Sequence, residues 1–274
     1  MISLTTMKAA LIQFQMIPGH VHENEQIVKE LIMEAANLGA NTIVLPELWN
    51  TGYALDELAQ LSQTLQGSSI TLLQSLAREY QLFIFGGTIA ERRNNQYYNT
   101  AVAINAAGDL VQKYRKIHLF PLGLKEPDYF EAGEEWGLAE TPWGTMGMMT
   151  CYDLRFPELA RNLALRGAKA LIIPAQWPTL RQDHWQILNQ ARAIENQLYV
   201  LAVNRTGKDK SGKYSGCSMI IDPWGQIIAG GPEANQPGII LHEIDFSLLD
   251  TVRSKIPVYD SRCRILDEID DSQL

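Results

Sequence analysis

The sequence predicts an α/β fold with mixed sheets, on three observations. Short apolar, β-rich runs recur along the 274 residues. Segments with helical apolar spacing lie between several of them. Two further stretches read as β-hairpins, whose antiparallel strands an all-parallel sheet would lack. In chain order the runs are KAALIQF (8–14), NTIVLP (41–46), LFIFGGT (82–88), AVAIN (101–105), GTMGMMT (144–150), KALIIPA (169–175), YVLAVN (199–204), SMIID (218–222) and GIILHEID (238–245). Their near-continuous apolar character is that of buried strands.

The first helix is expected over NEQIVKELIMEAANLGA (24–40), where Ile27, Leu31, Ile32, Ala35 and Leu38 share one face and Gly39 supplies a stop. SITLLQSLAREY (69–80) repeats the spacing. FPELARNLALRG (156–167) carries Pro157 in its first turn, where a missing N–H costs nothing, and DHWQILNQARAIENQ (183–197) completes the set. The hairpins are TAVAINAAGDLVQKY (100–114) and CSMIIDPWGQIIAGG (217–231). They share one pattern, an apolar strand, Asn or Asp, two residues, Gly and a second apolar strand, which fits either a duplicated half or two common turns. NRTGKDKSGKYSG (204–216) reads as a long polar loop, expected to be mobile. No linker rich in Pro, Gly or Ser divides the chain, so residues 1–274 are expected to form a single domain.

Composition narrows the function. With 46% apolar and 20% charged residues the chain can bury a large core. A net charge of −8, with Lys and Arg scattered among acids, argues against nucleic-acid partners, which need a clustered basic face. The opening MISLTTMKAALIQF lacks a basic n-region and a continuous apolar stretch, and no run suits a membrane span. Cys151, Cys217 and Cys263 lie far apart, giving neither a disulfide set nor a CxxC pair, so free thiols in the cytoplasm are expected. His20 and His22 fall in a turn after Pro18-Gly19 and read as solvated, leaving no metal site.

In open α/β sheets ligands gather outside the carboxyl ends of strands, so polar residues directly after an apolar run are the ones to inspect. Glu47 follows NTIVLP, Lys116 lies in LVQKYRKIHLF, and Cys151 follows MGMMT. Each has an ordinary reading alone: a helix cap, a solvated charge, a small apolar filler. Together they could form an amide-hydrolysing apparatus in which a carboxylate moves protons, an ammonium balances charge and sulfur attacks. Phe156-Pro157-Glu158 opens a helix close to Cys151, where free N–H groups would favour a thiolate, so Cys151 is expected to react with iodoacetamide faster than Cys217 or Cys263. The same corner would aim the Tyr152 N–H at an oxyanion.

LPELWNTGY, YRKIHLF and CYDLRFPE, in that order, closely resemble the three signature stretches of the nitrilase superfamily of carbon-nitrogen hydrolases, with its Glu-Lys-Cys triad at Glu47, Lys116 and Cys151. The likeness extends over nearly the whole chain, including YYNTAVAIN and ARAIENQLYVLAVNRTG. The resemblance implies a second pocket glutamate at Glu126, ahead of Gly133, with Glu131 the alternative and Glu134 and Glu135 solvated. It implies a four-layer αββα sandwich of two mixed β-sheets, protomers paired through helices as a homodimer or larger homo-oligomer, and no metal or organic cofactor. In the implied mechanism Glu47 takes the thiol proton, Cys151 attacks the carbonyl carbon, Lys116 and the Tyr152 amide hold the oxyanion, and Glu126 orients Lys116 or substrate.

The triad does not choose among nitriles, aliphatic amides, N-carbamoyl compounds and ω-amides. CYDLRFPELARNL, AQWPTLRQDHWQILNQARAIENQ and VNRTG look most like the ω-amidase branch, which acts on 2-oxoglutaramate or 2-oxosuccinamate. Such a small-molecule amide carries a carboxylate, for which Arg155 and Arg181 are the candidates, with Tyr53, Phe120 and Trp177 as pocket walls. His184 reads as a packing or hydrogen-bonding residue, and Cys217 and Cys263 as structural thiols. Two rivals stay open: a non-catalytic binding or assembly subunit, against which the filled triad speaks, and a Cys-His hydrolase using His118, which shares a side with Lys116 if RKIHLF is extended.

Overall fold

Buried aliphatic runs pair into two six-stranded mixed sheets. A computed structural model describes residues 4–123 and 125–263. The first part of the chain forms β1 (Thr6–Gln13), α1 (Val21–Asn37), β2 (Thr42–Val44), α2 (Leu58–Leu61), α3 (Ser68–Tyr80), β3 (Phe83–Arg93), β4 (Gln96–Ile104) and β5 (Leu110–Arg115). The second forms β6 (Gly137–Thr141), β7 (Gly144–Met148), α4 (Pro157–Leu165), β8 (Ala170–Ala175), α5 (Gln182–Asn196) and β9 (Tyr199–Asn204). Then come β10 (Thr206–Asp209), β11 (Gly212–Ser215), β12 (Met219–Ile221), β13 (Ile227–Gly230), β14 (Gly238–Asp245) and α6 (Leu248–Lys255).

The sheet orders are β14-β1-β2-β3-β4-β5 and β13-β12-β9-β8-β7-β6. In each, three consecutive strands run parallel, β1-β2-β3 and β7-β8-β9. An antiparallel hairpin extends one side, β4-β5 or β12-β13. An antiparallel strand closes the other, β14 or β6. The two sheets thus share one strand plan, and the similar hairpin sequences occupy equivalent places in it.

Alternation within strands sets the layers. From the first sheet Leu11, Val44 and Phe85 point inward and join Met146, Met148 and Ile172 of the second in one buried cluster. Their neighbours Ile12, Ile43 and Ile84 point outward onto Val28 and Ile32 of α1 and Ile70 and Leu73 of α3. On the far side, Leu159 and Leu163 of α4 and Trp185 and Ala193 of α5 cover the second sheet. The result is helix, sheet, sheet, helix, with each fully buried aliphatic side chain contributing about 1.5–3 kcal/mol through removal from water.

Four details differ from the sequence reading. On α1 the buried face is Asn24, Val28, Ile32 and Ala35, while Leu38 is exposed beyond the helix end. Asn24 can sit inside because its amide accepts from the Ile17 N–H and donates to the Ile17 and Asn50 carbonyls. The strand over NTIVLP stops at Val44, since Leu45 and Pro46 press against Gly87. Most of residues 204–216 forms the β10-β11 hairpin, paired from Thr206↔Ser215 to Asp209↔Gly212, instead of an irregular loop. Strand β6 and helix α6 carried too few apolar residues to stand out, α6 burying only Leu249 and Val252.

Candidate active site

Glu47 sits beyond the end of β2 because the neighbouring strand makes room. Gly87, at φ +55°, lies where a Cβ would come within 2.0 Å of the Pro46 carbonyl oxygen, so β3 bulges tightly under residues 45–46. Past the bulge Thr88 Oγ1 accepts the Leu48 N–H at 2.7 Å and fixes the turn. Lys116 follows β5, with its N–H on the Asn99 carbonyl at 2.9 Å and its carbonyl accepting from Gly133 at 2.9 Å. Any side chain at Gly133 would strike the Arg115 carbonyl oxygen at 2.1 Å, which explains the glycine there. Glu126 opens a short 3-10 turn, Glu126–Asp128.

These three charges meet out of water. Lys116 Nζ donates to Glu47 Oε1 at 2.8 Å and to Glu126 Oε2 at 2.8 Å, all three side chains being 0–1% exposed. Asn99 Nδ2 also donates to Glu47 Oε1 at 2.8 Å, and the Gln176 N–H donates to Oε2 at 2.9 Å. Glu126 accepts from Tyr53 Oη at 3.0 Å and from the Phe120 N–H at 2.8 Å. Burial disfavours the ammonium, but the carboxylates of Glu126 and Glu47 hold Lys116 well above its usual range. Burial also pushes the Glu126 carboxyl up, against the pull of Lys116.

Cys151 is the first residue of a 3-10 turn, Cys151–Arg155, and has φ +47°, a left-handed conformation rare outside glycine and asparagine. The turn is anchored by Asp153. Its carboxylate accepts from the Thr150 N–H at 2.8 Å, Tyr114 Oη at 2.7 Å, the His118 N–H at 2.9 Å and His118 Nδ1 at 2.8 Å. The sulfur lies within the fields of Glu47, Lys116 and Glu126. Burial, then the Glu47 charge, pushes the thiol well above its usual range, with Lys116 opposing. This runs against the expected thiolate: although α4 opens at Pro157 as expected, burial is the largest influence on the thiol. Against the expected fast alkylation of Cys151 stands the exposure of Cys263, while Cys151 and Cys217 are buried.

A cavity of about 390 Å³ opens over Cys151. Tyr53, Phe120, Glu126, Tyr152, Arg155, Trp177 and Arg181 line it, whereas Glu47 and Lys116 lie beneath its floor. Arg155 stacks over Trp177 at 4.7 Å, and Arg181 lies 5.6 Å from the Phe120 ring centroid. Burial and the nearby Arg181 charge lower the Arg155 pKa. Among the described residues neither guanidinium forms an ion pair with a carboxylate; Arg155 instead meets His184 Nδ1 at 3.3 Å.

A profile of the carbon-nitrogen hydrolase family matches residues 8–254. The chain belongs to this family. The hydrolase is 40% identical over 249 residues to the 2-oxoglutaramate amidase of Bacillus subtilis, covering 91% of this chain and 95% of that one. It is 32% identical over 264 residues to the human omega-amidase NIT2, covering 93% and 95%. Among solved structures, Saccharomyces cerevisiae Nit3, of the nitrilase superfamily, superposes with a TM-score of 0.88 at 30% identity, covering 96% of this chain and 98% of that one.

Other residues of the hydrolase site were not singled out from the sequence. Asn99 hides in the middle of β4, and Asp153 looks like one more charge in CYDLR. Gln176 follows KALIIPA as Glu47 follows NTIVLP, so the strand-end rule reaches it too. The hairpin residues Ser211, Gly212, Lys213 and Tyr214 line the cavity, although their polar sequence read as a surface loop. His118 is bound to Asp153, stacks on Phe156 at 3.6 Å and does not line the cavity, which leaves the Cys-His rival without its base. Glu131 is exposed, so Glu126 is the carboxylate in the pocket. Among the described residues no group of three or more His, Cys, Asp or Glu is gathered as a metal ion would need, and no helix is long and apolar enough to cross a membrane.

Proposed function

We propose that this chain is an ω-amidase: it hydrolyses the terminal amide of a dicarboxylic monoamide of the 2-oxoglutaramate kind through a thioester on Cys151. The observation that carries the substrate class is the pair Arg155 and Arg181, two guanidinium groups that face a cavity beside the sulfur and, among the described residues, have no carboxylate partner. A substrate carboxylate supplies the missing partner through charge-assisted hydrogen bonds. The names of the relatives at 40% and 32% identity support the same class.

In this reading Glu47 is the base. Its Oε1 is occupied by Lys116 and Asn99, whereas Oε2 accepts one backbone N–H and keeps a lone pair for the thiol proton. Because the resting thiol is protonated, sulfur is deprotonated as it attacks the amide carbon. The oxyanion forms near Lys116, which supplies charge, and the Tyr152 N–H, which at the start of a helical turn has no partner inside that turn. Glu47 passes its proton to the departing ammonia, then deprotonates a water that opens the thioester, and that proton returns to sulfur as the acid product leaves and gives up its remaining proton to solvent. Glu126 orients Lys116. No step calls for a metal or organic cofactor.

The same reading places the hydrolase in the cytoplasm as a homodimer paired through α4 and α5, whose exposed residues include Leu165, Ile187 and Ile194; light scattering checks the dimer. The substrate test is ammonia release from 2-oxoglutaramate, N-carbamoyl-β-alanine and propionamide. Preference for the keto-acid amide by about a hundredfold in kcat/KM supports the proposal. Equal rates, or a preference for the carbamoyl compound or the simple amide, overturn it.

A further inference from the structure

The least expected side chain in the molecule is Arg205, a guanidinium with no exposed surface. A buried cation is costly unless every donor is met. Here each nitrogen is met, by groups from separate parts of the chain. Nη1 donates to Gln176 Oε1 at 3.0 Å and to the Asp209 carboxylate, Nη2 to the Met16 carbonyl at 3.3 Å, and Nε to the Thr206 carbonyl at 3.3 Å. The Tyr214 ring lies 4.4 Å over the guanidinium.

Two of these contacts lead into the active site. Gln176 donates through Nε2 to the Glu47 carbonyl at 2.9 Å and through its backbone N–H to Glu47 Oε2 at 2.9 Å. Since Arg205 offers only donors and the Glu47 carbonyl only an acceptor, the Gln176 amide has a single orientation. Next door, Asn204 Oδ1 accepts the Trp177 N–H at 2.7 Å and its Nδ2 donates to the Trp177 carbonyl at 3.0 Å, so residues 204–205 brace 176–177. On its other side Arg205 holds Asp209, whose carboxylate also bonds Ser211, and Ser211 meets Tyr214 Oη at 2.6 Å. Ser211, Gly212, Lys213 and Tyr214 form one wall of the cavity.

We propose that Arg205 is a positioning residue that sets two things at once: the Gln176 brace behind the Glu47 carboxylate and the β10-β11 wall of the substrate cavity. The inference rests on Glu47 acting as the base. A lysine cannot replace it, because Nη1, which meets both Gln176 and Asp209, is held in place by the rest of the planar fork, Nη2 on the Met16 carbonyl and Nε on the Thr206 carbonyl, and a lone ammonium leaves those two carbonyls unmet.

The test measures kcat and KM for 2-oxoglutaramate in Asp209→Asn, Gln176→Met, Arg205→Lys and the double variant Arg205→Lys/Gln176→Met. Asp209→Asn should act on the wall, raising KM about fivefold or more while lowering kcat less than about twofold. Gln176→Met should act on the base, lowering kcat about tenfold or more with KM little changed. Arg205→Lys should do both, and the double variant should have a kcat close to the worse single one, because both changes break the same brace.

Multiplication of the two kcat losses, or an Arg205→Lys variant altered in KM alone, overturns the inference. If Arg205→Lys does not fold, the opposite KM and kcat signatures of Asp209→Asn and Gln176→Met decide, and identical signatures overturn it. Glu47→Gln separates the underlying reading: wild-type turnover there sinks the role of Glu47, whereas lost turnover with multiplying kcat losses sinks the positioning role alone.

Discussion

Replacing Lys116 by methionine removes a charge from the most enclosed part of the molecule while nearly keeping its length. In the wild type the ammonium touches Glu47 and Glu126, each at 2.8 Å, with all three side chains out of water. Breaking such a buried pair by deleting one partner costs about 3–5 kcal/mol. Asn99, Tyr53 and the Gln176 and Phe120 amides still donate to the two carboxylates, which favours the lower end of that range. At about 2–4 °C per kcal/mol, the melting temperature at pH 7 should fall by about 6–12 °C.

The pH dependence carries a second signature. Wild-type Lys116 has a raised folded pKa, so its stabilisation is present at neutral pH and is lost only as pH climbs through that raised value. In the variant, Glu126, already pushed up by burial, loses the cation that held it down. A carboxyl with a raised folded pKa binds its proton more tightly in the folded state, so the variant regains stability as pH falls from about 8 towards 5 and its gap to the wild type narrows. Thermal unfolding followed by circular dichroism across that range measures both effects. An unchanged melting temperature at pH 7, or a gap constant down to pH 5, would refute the account of a buried carboxylate-ammonium-carboxylate cluster.

Cys151→Ala should reduce ammonia release to background and leave the melting temperature nearly unchanged, since only a sulfur is lost; residual turnover would contradict the thioester route. Mild iodoacetamide at pH 7 should label the exposed Cys263 before Cys151, with the Cys151 rate climbing as pH rises, and peptide mass spectrometry reads the order. Asp153→Asn offers one acceptor oxygen where four donors converge, so it should cost about 2–3 kcal/mol in stability. Release of the Cys151 turn should also lower kcat by about tenfold or more, checked by denaturant unfolding beside steady-state rates.

The sequence disclosed what burial writes into composition. Runs such as KALIIPA and YVLAVN lie between two covering layers and so are apolar throughout, which made the strands and the α/β class readable. Polar residues at the ends of such runs flagged Glu47, Lys116 and Cys151, which the fold brings to one place. Glu126 was legible only through resemblance, because four other carboxylates, Asp128, Glu131, Glu134 and Glu135, surround it and only the short turn at Glu126–Asp128 directs it inward. The β10-β11 hairpin was not legible at all. Its order comes from Arg205 beneath it, a partner supplied by tertiary packing that local periodicity does not record. Gln176 acts on Glu47 partly through a backbone N–H, a group every non-proline residue owns, so residue type carries no trace of it.

The last strand among the described residues completes the first sheet: β14 pairs with β1 from Thr6↔Asp245 to Gln13↔Gly238. During synthesis β1 therefore waits until residues 238–245 have emerged, its outer row of N–H and C=O groups unclaimed. A contact of such sequence separation slows folding and makes late truncations hazardous, since any chain halted before residue 238 would offer β1 as a template for pairing with its neighbours.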